Sequence, residues 1–152
     1  MPKTLTAYFT WGGHTKSIAE LISAQTNSTL CEIITEKKYP RNYLMAILES
    51  RKEFKNDIHP AIITPKILDF SSFERVIIGF PIWFFTCPMA VVSWLEQYDF
   101  NGKEIFPFCT SGGSNCAKAT AKIRQICPGA NVHDGIRFTK PDSESISRWL
   151  NS

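Results

Sequence analysis

A chain of 152 residues, 43% hydrophobic and with a net charge of +3, is expected to be one domain (residues 1–152) with a sizeable core. Its lysines and arginines are scattered, which argues against a nucleic-acid-binding stripe. No apolar stretch reaches the roughly 18 residues that span a bilayer, and the N-terminus lacks secretory-signal features, so a cytoplasmic protein away from membranes is expected.

In chain order, residues 5–9 read as a strand, and Ile18, Leu21 and Ile22 mark one face of a helix that begins near Ser17 and ends near Thr26. Residues 30–34 form a second strand. Leu44, Ile47, Leu48 and Phe54 give the apolar face of a second helix, with Asn42 as its N-cap. Residues 56–74, with Pro60 and Pro65, predict an extended surface connection before a turn at 68–73. Residues 76–80 make a third strand, branched enough to be buried on both faces. Pro88 suits the first turn of a third helix running to about Tyr98. Residues 104–109 are a fourth strand, where Pro107 predicts a bulge or lost pairing. Ala119, Ile123 and Ile126 define a fourth helix, stopped by Pro128 and Gly129. Residues 130–138 hold a fifth strand interrupted at Asp134-Gly135, and 143–150 close the chain as a helix. Five βα units predict an α/β fold: a doubly wound parallel sheet with helices on both faces.

In such a sheet, ligands bind where the loops leave the carboxyl ends of the strands. Three of these loops carry chemistry. Thr10-Trp11-Gly12-Gly13-His14-Thr15 joins strand to helix, where glycine lets the backbone approach an anion and unpartnered helix N–H groups attract one. The same composition also suits an ordinary βα turn. Pro81-Ile82-Trp83-Phe84 and the following Phe85 place three aromatics at the mouth of the sheet, either as a packed corner or as a wall for a flat ring, with Trp83 the best candidate. Thr110-Ser111-Gly112-Gly113-Ser114-Asn115 presents backbone groups to a planar edge, and Ser114 or Asn115 can cap the fourth helix. Together the three suit a flat heterocycle with a phosphate tail.

Competing chemistries lack their residues. Thr15-Lys16-Ser17 has no glycine before the lysine of a Walker loop, and six residues after Cys109 stands Asn115, not the arginine of a phosphatase loop. The acidic positions of a receiver domain and the Rossmann fingerprint are missing. His59 and His133 read as surface groups, and Trp94 and Trp149 as packing residues. Lys37, Lys38 and Arg41 form either a solvated face or a docking rim for an anionic partner. The five cysteines include no Cys-x-x-Cys pair, and Cys87 and Cys109 read as reduced, buried, inert thiols.

On these motifs the chain resembles the flavodoxins over nearly its whole length. The 10–15 loop stands where that family carries its FMN-phosphate loop, Gly79-Phe80-Pro81-Ile82-Trp83 resembles the aromatic loop beside the flavin ring, and Pro107-Phe108-Cys109-Thr110-Ser111-Gly112-Gly113 resembles the loop along its other edge. The turn Tyr98-Asp99-Phe100-Asn101-Gly102-Lys103 is similar to that of short bacterial flavodoxin-like proteins. The resemblance implies a five-stranded sheet of order 2-1-3-4-5 with FMN at the switch between the first and third strands, for which flavodoxin is itself the standard example. It further implies phosphate contacts from Thr10, Trp11, Gly12, Gly13, His14 and Thr15, and ring contacts from Pro81, Ile82, Trp83, Phe84, Thr110, Ser111, Gly112 and Gly113. Gly12 replaces a usual hydroxyl residue and His14 a frequent asparagine, so a His14 N–H is the expected substitute donor. The implied function is FMN-based electron transfer to redox partner proteins or a small electron acceptor. An FMN-dependent NAD(P)H:quinone-type reductase and a flavin-free interaction domain are the alternatives. No side chain reads as a catalytic acid, base or nucleophile.

Overall fold

A computed structural model describes residues 3–111 and 113–151. The strands β1 (Thr4–Tyr8), β2 (Thr29–Glu32), β3 (Arg75–Pro81), β4 (Glu104–Thr110), β5 (Asn131–Val132) and β6 (Ile136–Phe138) form one parallel sheet. Its order is β2-β1-β3-β4-β5, with β6 pairing β4 beyond β5, so two short pieces together occupy the expected fifth position. Helices α1 (His14–Thr26) and α5 (Ser143–Leu150) lie on one face. There Ile18, Ile22 and Ile146 pack with Ile77 and Phe108. Across the sheet lie α2 (Tyr43–Lys55), α3 (Met89–Leu95) and α4 (Ala117–Ile126), whose Ala46, Trp94 and Ile123 share a core with Leu5, Val76 and Ile105. Every residue of β1 is buried, as a central parallel strand covered on both faces requires.

The break between β5 and β6 has its cause in Pro107. Lys103 and Ile105 accept from the N–H groups of Asn131 and His133 at 2.9 Å, so odd-numbered residues of β4 face the fifth position. Pro107 therefore turns its missing donor to that side. The ladder resumes only at Phe108↔Ile136, whereas the register to β3 runs unbroken through Ile78↔Pro107.

Two helix expectations change. Helix α1 begins at His14, three residues before Ser17, because Gly13 in a left-handed conformation (φ 92°) turns the chain directly into it. In α2, Asn42 caps Met45 N at 3.1 Å as expected, but Leu44, Leu48 and Phe54 point to solvent. The buried face is instead Ala46, Ser50 and Glu53.

The 56–74 connection pairs backbone with the chain beyond β2, through Glu36 N to Ala61 O (2.8 Å) and Ile63 N to Ile34 O (2.9 Å), then makes a 3₁₀ turn at Phe70–Ser72. His59 pins it to the end of α3, with Nδ1 donating to Glu96 at 2.5 Å and Nε2 to Asp57 at 2.8 Å. Only a protonated ring donates from both nitrogens. The bonds to Glu96 first and then Asp57 raise the His59 pKa. A raised folded pKa gives stability that is full below the unfolded value of about 6.5 and lost as pH rises through the folded one. We expect His59→Gln to lower the melting temperature at about pH 5.5 and to leave it nearly unchanged at about pH 8.5. An equal gap at both pH values refutes the charged clamp.

Candidate functional site

At the carboxyl edge of the sheet, the loops after β1, β3, β4 and β6 and the first turn of α2 enclose an open cleft of about 630 Å³. Its lining is Trp11, His14, Tyr43, Pro81, Ile82, Trp83, Thr110, Ser111, Ser114 and Thr139, with no carboxylate among them. That volume lies within the roughly 300–1,000 Å³ of small-molecule sites.

The 10–15 loop is shaped by Gly12 (φ 81°) and Gly13 (φ 92°), conformations that L side chains rarely adopt; nothing lies within 4 Å of a Cβ built on either. Thr10 Oγ1 accepts from Lys16 N at 3.4 Å, which folds the loop back over the start of α1. The first-turn N–H groups of α1 have no helical acceptor, and no acidic residue stands in that turn. Thr15 is buried, and its hydroxyl bonds to that of Thr110 at 2.9 Å, tying the first loop to the end of β4. The 10–15 loop and the end of β4 are thus one hydrogen-bonded unit.

His14 is used differently from the expectation. Its Nε2 lies 2.7 Å from the Thr139 carbonyl, an acceptor only, so that nitrogen carries a proton and donates there. The N–H expected to replace a missing hydroxyl is committed to closing the cleft between the first loop and the loop after β6.

The aromatic loop also departs from its expected form. Trp83 lines the cleft yet is only 1% exposed. Phe9, Trp11 and Tyr39 meet it edge-on, with ring centroids 5.6, 6.5 and 5.2 Å away. The aromatic surface open to the cleft belongs to Trp11, half-buried, and Tyr43, 60% exposed, whose rings lie 5.5 Å apart. Trp11 is oriented by an Nε1 bond to the Pro40 carbonyl at 2.9 Å.

Phe84 does not line the cleft. Trp83 and Thr86 exchange backbone hydrogen bonds (3.1 and 3.3 Å), making Phe84 (φ 51°) and Phe85 (φ 66°) the two residues of a tight hairpin turn. This turn throws the Phe84 ring outward, onto Phe54 at 5.7 Å and beneath the Arg51 guanidinium at 5.3 Å.

Pro81, Ile82, Thr110 and Ser111 all reach the cleft, Gly113 lies in the same segment, and Gly112 lies outside the described residues. Ser111 Oγ donates to the Ser114 carbonyl. Cys116 occupies the cap position of α4, and Asn115 Oδ1 accepts from Ala117 N at 2.9 Å. Sequence reasoning did not assign Tyr43, Ser114 or Thr139 to the site; the signal was their position in or beside loops that leave the same sheet edge.

Of the basic cluster after β2, Lys38 and Arg41 are exposed, but Lys37 is half-buried. Lys37 turns inward, with Nζ 2.6 Å from both Glu49 and Glu53, and Glu53 also accepts from the Tyr39 hydroxyl at 2.7 Å. These bonds hold Tyr39 behind Trp83. Burial and then Glu53 push the Tyr39 hydroxyl pKa upward, which keeps it a donor.

One cysteine expectation is overturned. Cys109 is not a thiol but is disulfide-bonded to Cys116, with Cα atoms 6.1 Å apart. They stand seven positions apart in sequence, too far for a Cys-x-x-Cys pattern to reveal, and the strand-loop-helix turn brings them together. Cys31, Cys87 and Cys127 are free. Burial pushes the Cys87 thiol up to about 12, consistent with an inert group.

A family model described as Flavodoxin matches residues 3–152. A Bacteroides uniformis protein proposed to be a flavoprotein is 30% identical over 99% of each chain, with a TM-score of 0.90. A Lactobacillus acidophilus flavoprotein solved in complex with FMN is 24% identical over 99% of each chain (TM-score 0.82). Flavodoxin 2 of Bacillus cereus is 20% identical over 98% of this chain and 93% of its own (TM-score 0.53). No curated protein sequence matches the chain. Among the described residues, no helix is long and apolar enough to cross a membrane.

Proposed function

The chain belongs to the flavodoxin family, and from that premise we propose that it is an FMN-dependent redox protein that passes electrons to a partner protein or a small acceptor. One observation carries the reading: a glycine-shaped loop and a helix first turn free of acidic groups stand beside a cleft with aromatic walls and one polar edge. When bound, FMN supplies the electron chemistry. The protein supplies grip, orientation and electrostatics. First-turn N–H groups of α1 and the backbone of residues 10–13 hold the phosphate, with Thr15 and Thr110 bracing that loop from behind. Trp11 and Tyr43 offer ring faces, Pro81 and Ile82 an apolar wall, and Thr110 and Ser111 polar groups along the edge. His14 closes one end through Thr139.

The test is the absorbance spectrum of the purified protein with and without added FMN, followed by titration. FMN is expected to outcompete FAD and riboflavin. Thr15→Val should weaken FMN by about 1–3 kcal/mol, because the Thr110 hydroxyl loses its buried partner and the cradle its brace. Riboflavin binding as tight as FMN by fluorescence quenching refutes the phosphate assignment. Steady turnover of a reduced nicotinamide would make the protein a reductase rather than a carrier.

The absence of carboxylates from the cleft lining bears on potential. Glu36 is exposed on the β2 edge, and Asp142 turns to cap α5 by accepting from Glu144 N. Two like charges about 8 Å apart at an effective dielectric near 20 repel by roughly 2 kcal/mol. Removing such repulsion stabilises an anionic reduced flavin. At about 59 mV per tenfold change, we expect the last one-electron reduction to be less negative than in strongly acidic flavodoxins by roughly 50–100 mV. Spectroelectrochemistry at neutral pH beside an acidic flavodoxin checks it, and an equal or lower potential sinks the charge argument.

A further inference from the structure

The Cys109–Cys116 bond ties the penultimate residue of β4 to the residue that caps α4. Between the two sulfurs lie Thr110, Ser111 and Ser114, which form one side of the cleft. We propose that Cys109 and Cys116 are a dithiol/disulfide redox couple built into the cofactor-binding wall, whose oxidised form holds FMN tightly and whose reduced form loosens it. This rests on the FMN reading of the cleft.

The placement supports it. Ser111, Gly113, Ser114 and Asn115 are exposed or half-exposed, so little packing fixes these described residues. Apart from local bonds of Ser111 and Asn115, its anchors are Ile82 N to Thr110 O (3.0 Å) and the Thr15–Thr110 hydroxyl pair. Both of these anchors act on Thr110, at the strand end. At the far end Cys116 begins α4, so opening the bond releases the covalent tie between the strand end and the helix cap and restores loop entropy to the segment between them. An FMN site that must first be ordered loses affinity in proportion to its unpopulated fraction.

The chemistry balances with a dithiol as reductant. Its thiolate attacks one sulfur, forming a mixed disulfide and expelling the other cysteine as a thiolate. Its second thiol then displaces the first. Two electrons and two protons pass to the cysteine pair, and the reductant leaves as its cyclic disulfide. The remaining cysteines compete poorly, since burial raises the thiol pKa of Cys31 and pushes those of Cys87 and Cys127 up to about 12 and about 11.

The test titrates the full-length apoprotein with FMN, first air-oxidised and then reduced with dithiothreitol and desalted anaerobically, with thiols counted by mass tagging after denaturation. The count should rise from the three free cysteines to all five. The FMN dissociation constant should rise on the order of tenfold. Cys116→Ser should bind like the reduced protein with or without dithiothreitol. The comparison within the unmutated protein stands even if that variant misfolds. Five thiols in the air-oxidised protein, or equal affinity in the three- and five-thiol forms, overturns the couple while leaving FMN binding intact. Failure of both forms to bind FMN overturns the flavin reading together with the couple.

Discussion

Replacing Trp83 with alanine is expected to remove about 3–5 kcal/mol of folding stability, the range for emptying a large aromatic site in a core. Trp83 is 1% exposed and is met edge-on by Phe9, Trp11 and Tyr39. A ring this enclosed, though it lines the cleft, supports the rings around it. The void left by alanine removes the backing of Trp11, which does face the cleft. FMN affinity should therefore fall as well, on the order of tenfold, through a collapsed wall. Trp11→Ala, at a half-buried position, should weaken FMN similarly while changing stability by no more than about 1 kcal/mol, and it should relieve flavin fluorescence quenching. Urea unfolding of both apoproteins together with FMN titration separates the two roles. A Trp83→Ala apoprotein within about 1 kcal/mol of the parent would sink the supporting role.

Glu53→Ala should cost about 2–3 kcal/mol. The Glu53 side chain is 1% exposed, accepts from the Tyr39 hydroxyl at 2.7 Å and forms an ion pair with Lys37 Nζ at 2.6 Å. Removing one member of a buried charged network costs roughly 3–5 kcal/mol, and the cost falls below that range here because Lys37 is 36% exposed and keeps Glu49. Its hydroxyl orphaned, Tyr39 loses its fixed position behind Trp83. Glu53→Gln preserves an acceptor for that hydroxyl and should lose only about 1 kcal/mol. Equal losses for the two variants in urea melts would show that charge rather than the Tyr39 bond dominates.

Both effects arise from residues whose sequence context suggested something else. Trp83 read as a ligand platform because it follows a buried strand at the binding edge, and it does line the cleft. Its side chain is claimed by Phe9, Trp11 and Tyr39 from two other loops, and no period within 81–88 encodes that. Glu53 sits in a helix whose apolar residues Leu44, Leu48 and Phe54 marked the wrong face. The helix is rotated so that a carboxylate, not a leucine, meets the loop after β2, since only a carboxylate satisfies Lys37 and Tyr39 together.

From the sequence alone came the alternation of short branched runs with helical patterns, hence a parallel doubly wound sheet. So did the strand edge where the loops of the cleft gather, the glycines that turn the chain from β1 into α1, and the weakness at Pro107. These are local properties: hydrophobic period, turn chemistry and the missing proline donor act within a few residues. Tertiary structure alone decided which rings face the cleft, that His14 spends its N–H on Thr139, that Phe84 turns away, and that Cys109 meets Cys116. Each of these depends on partners that chain folding brings together, and a side chain's direction is settled by whichever neighbour satisfies its polar atoms or covers its apolar face.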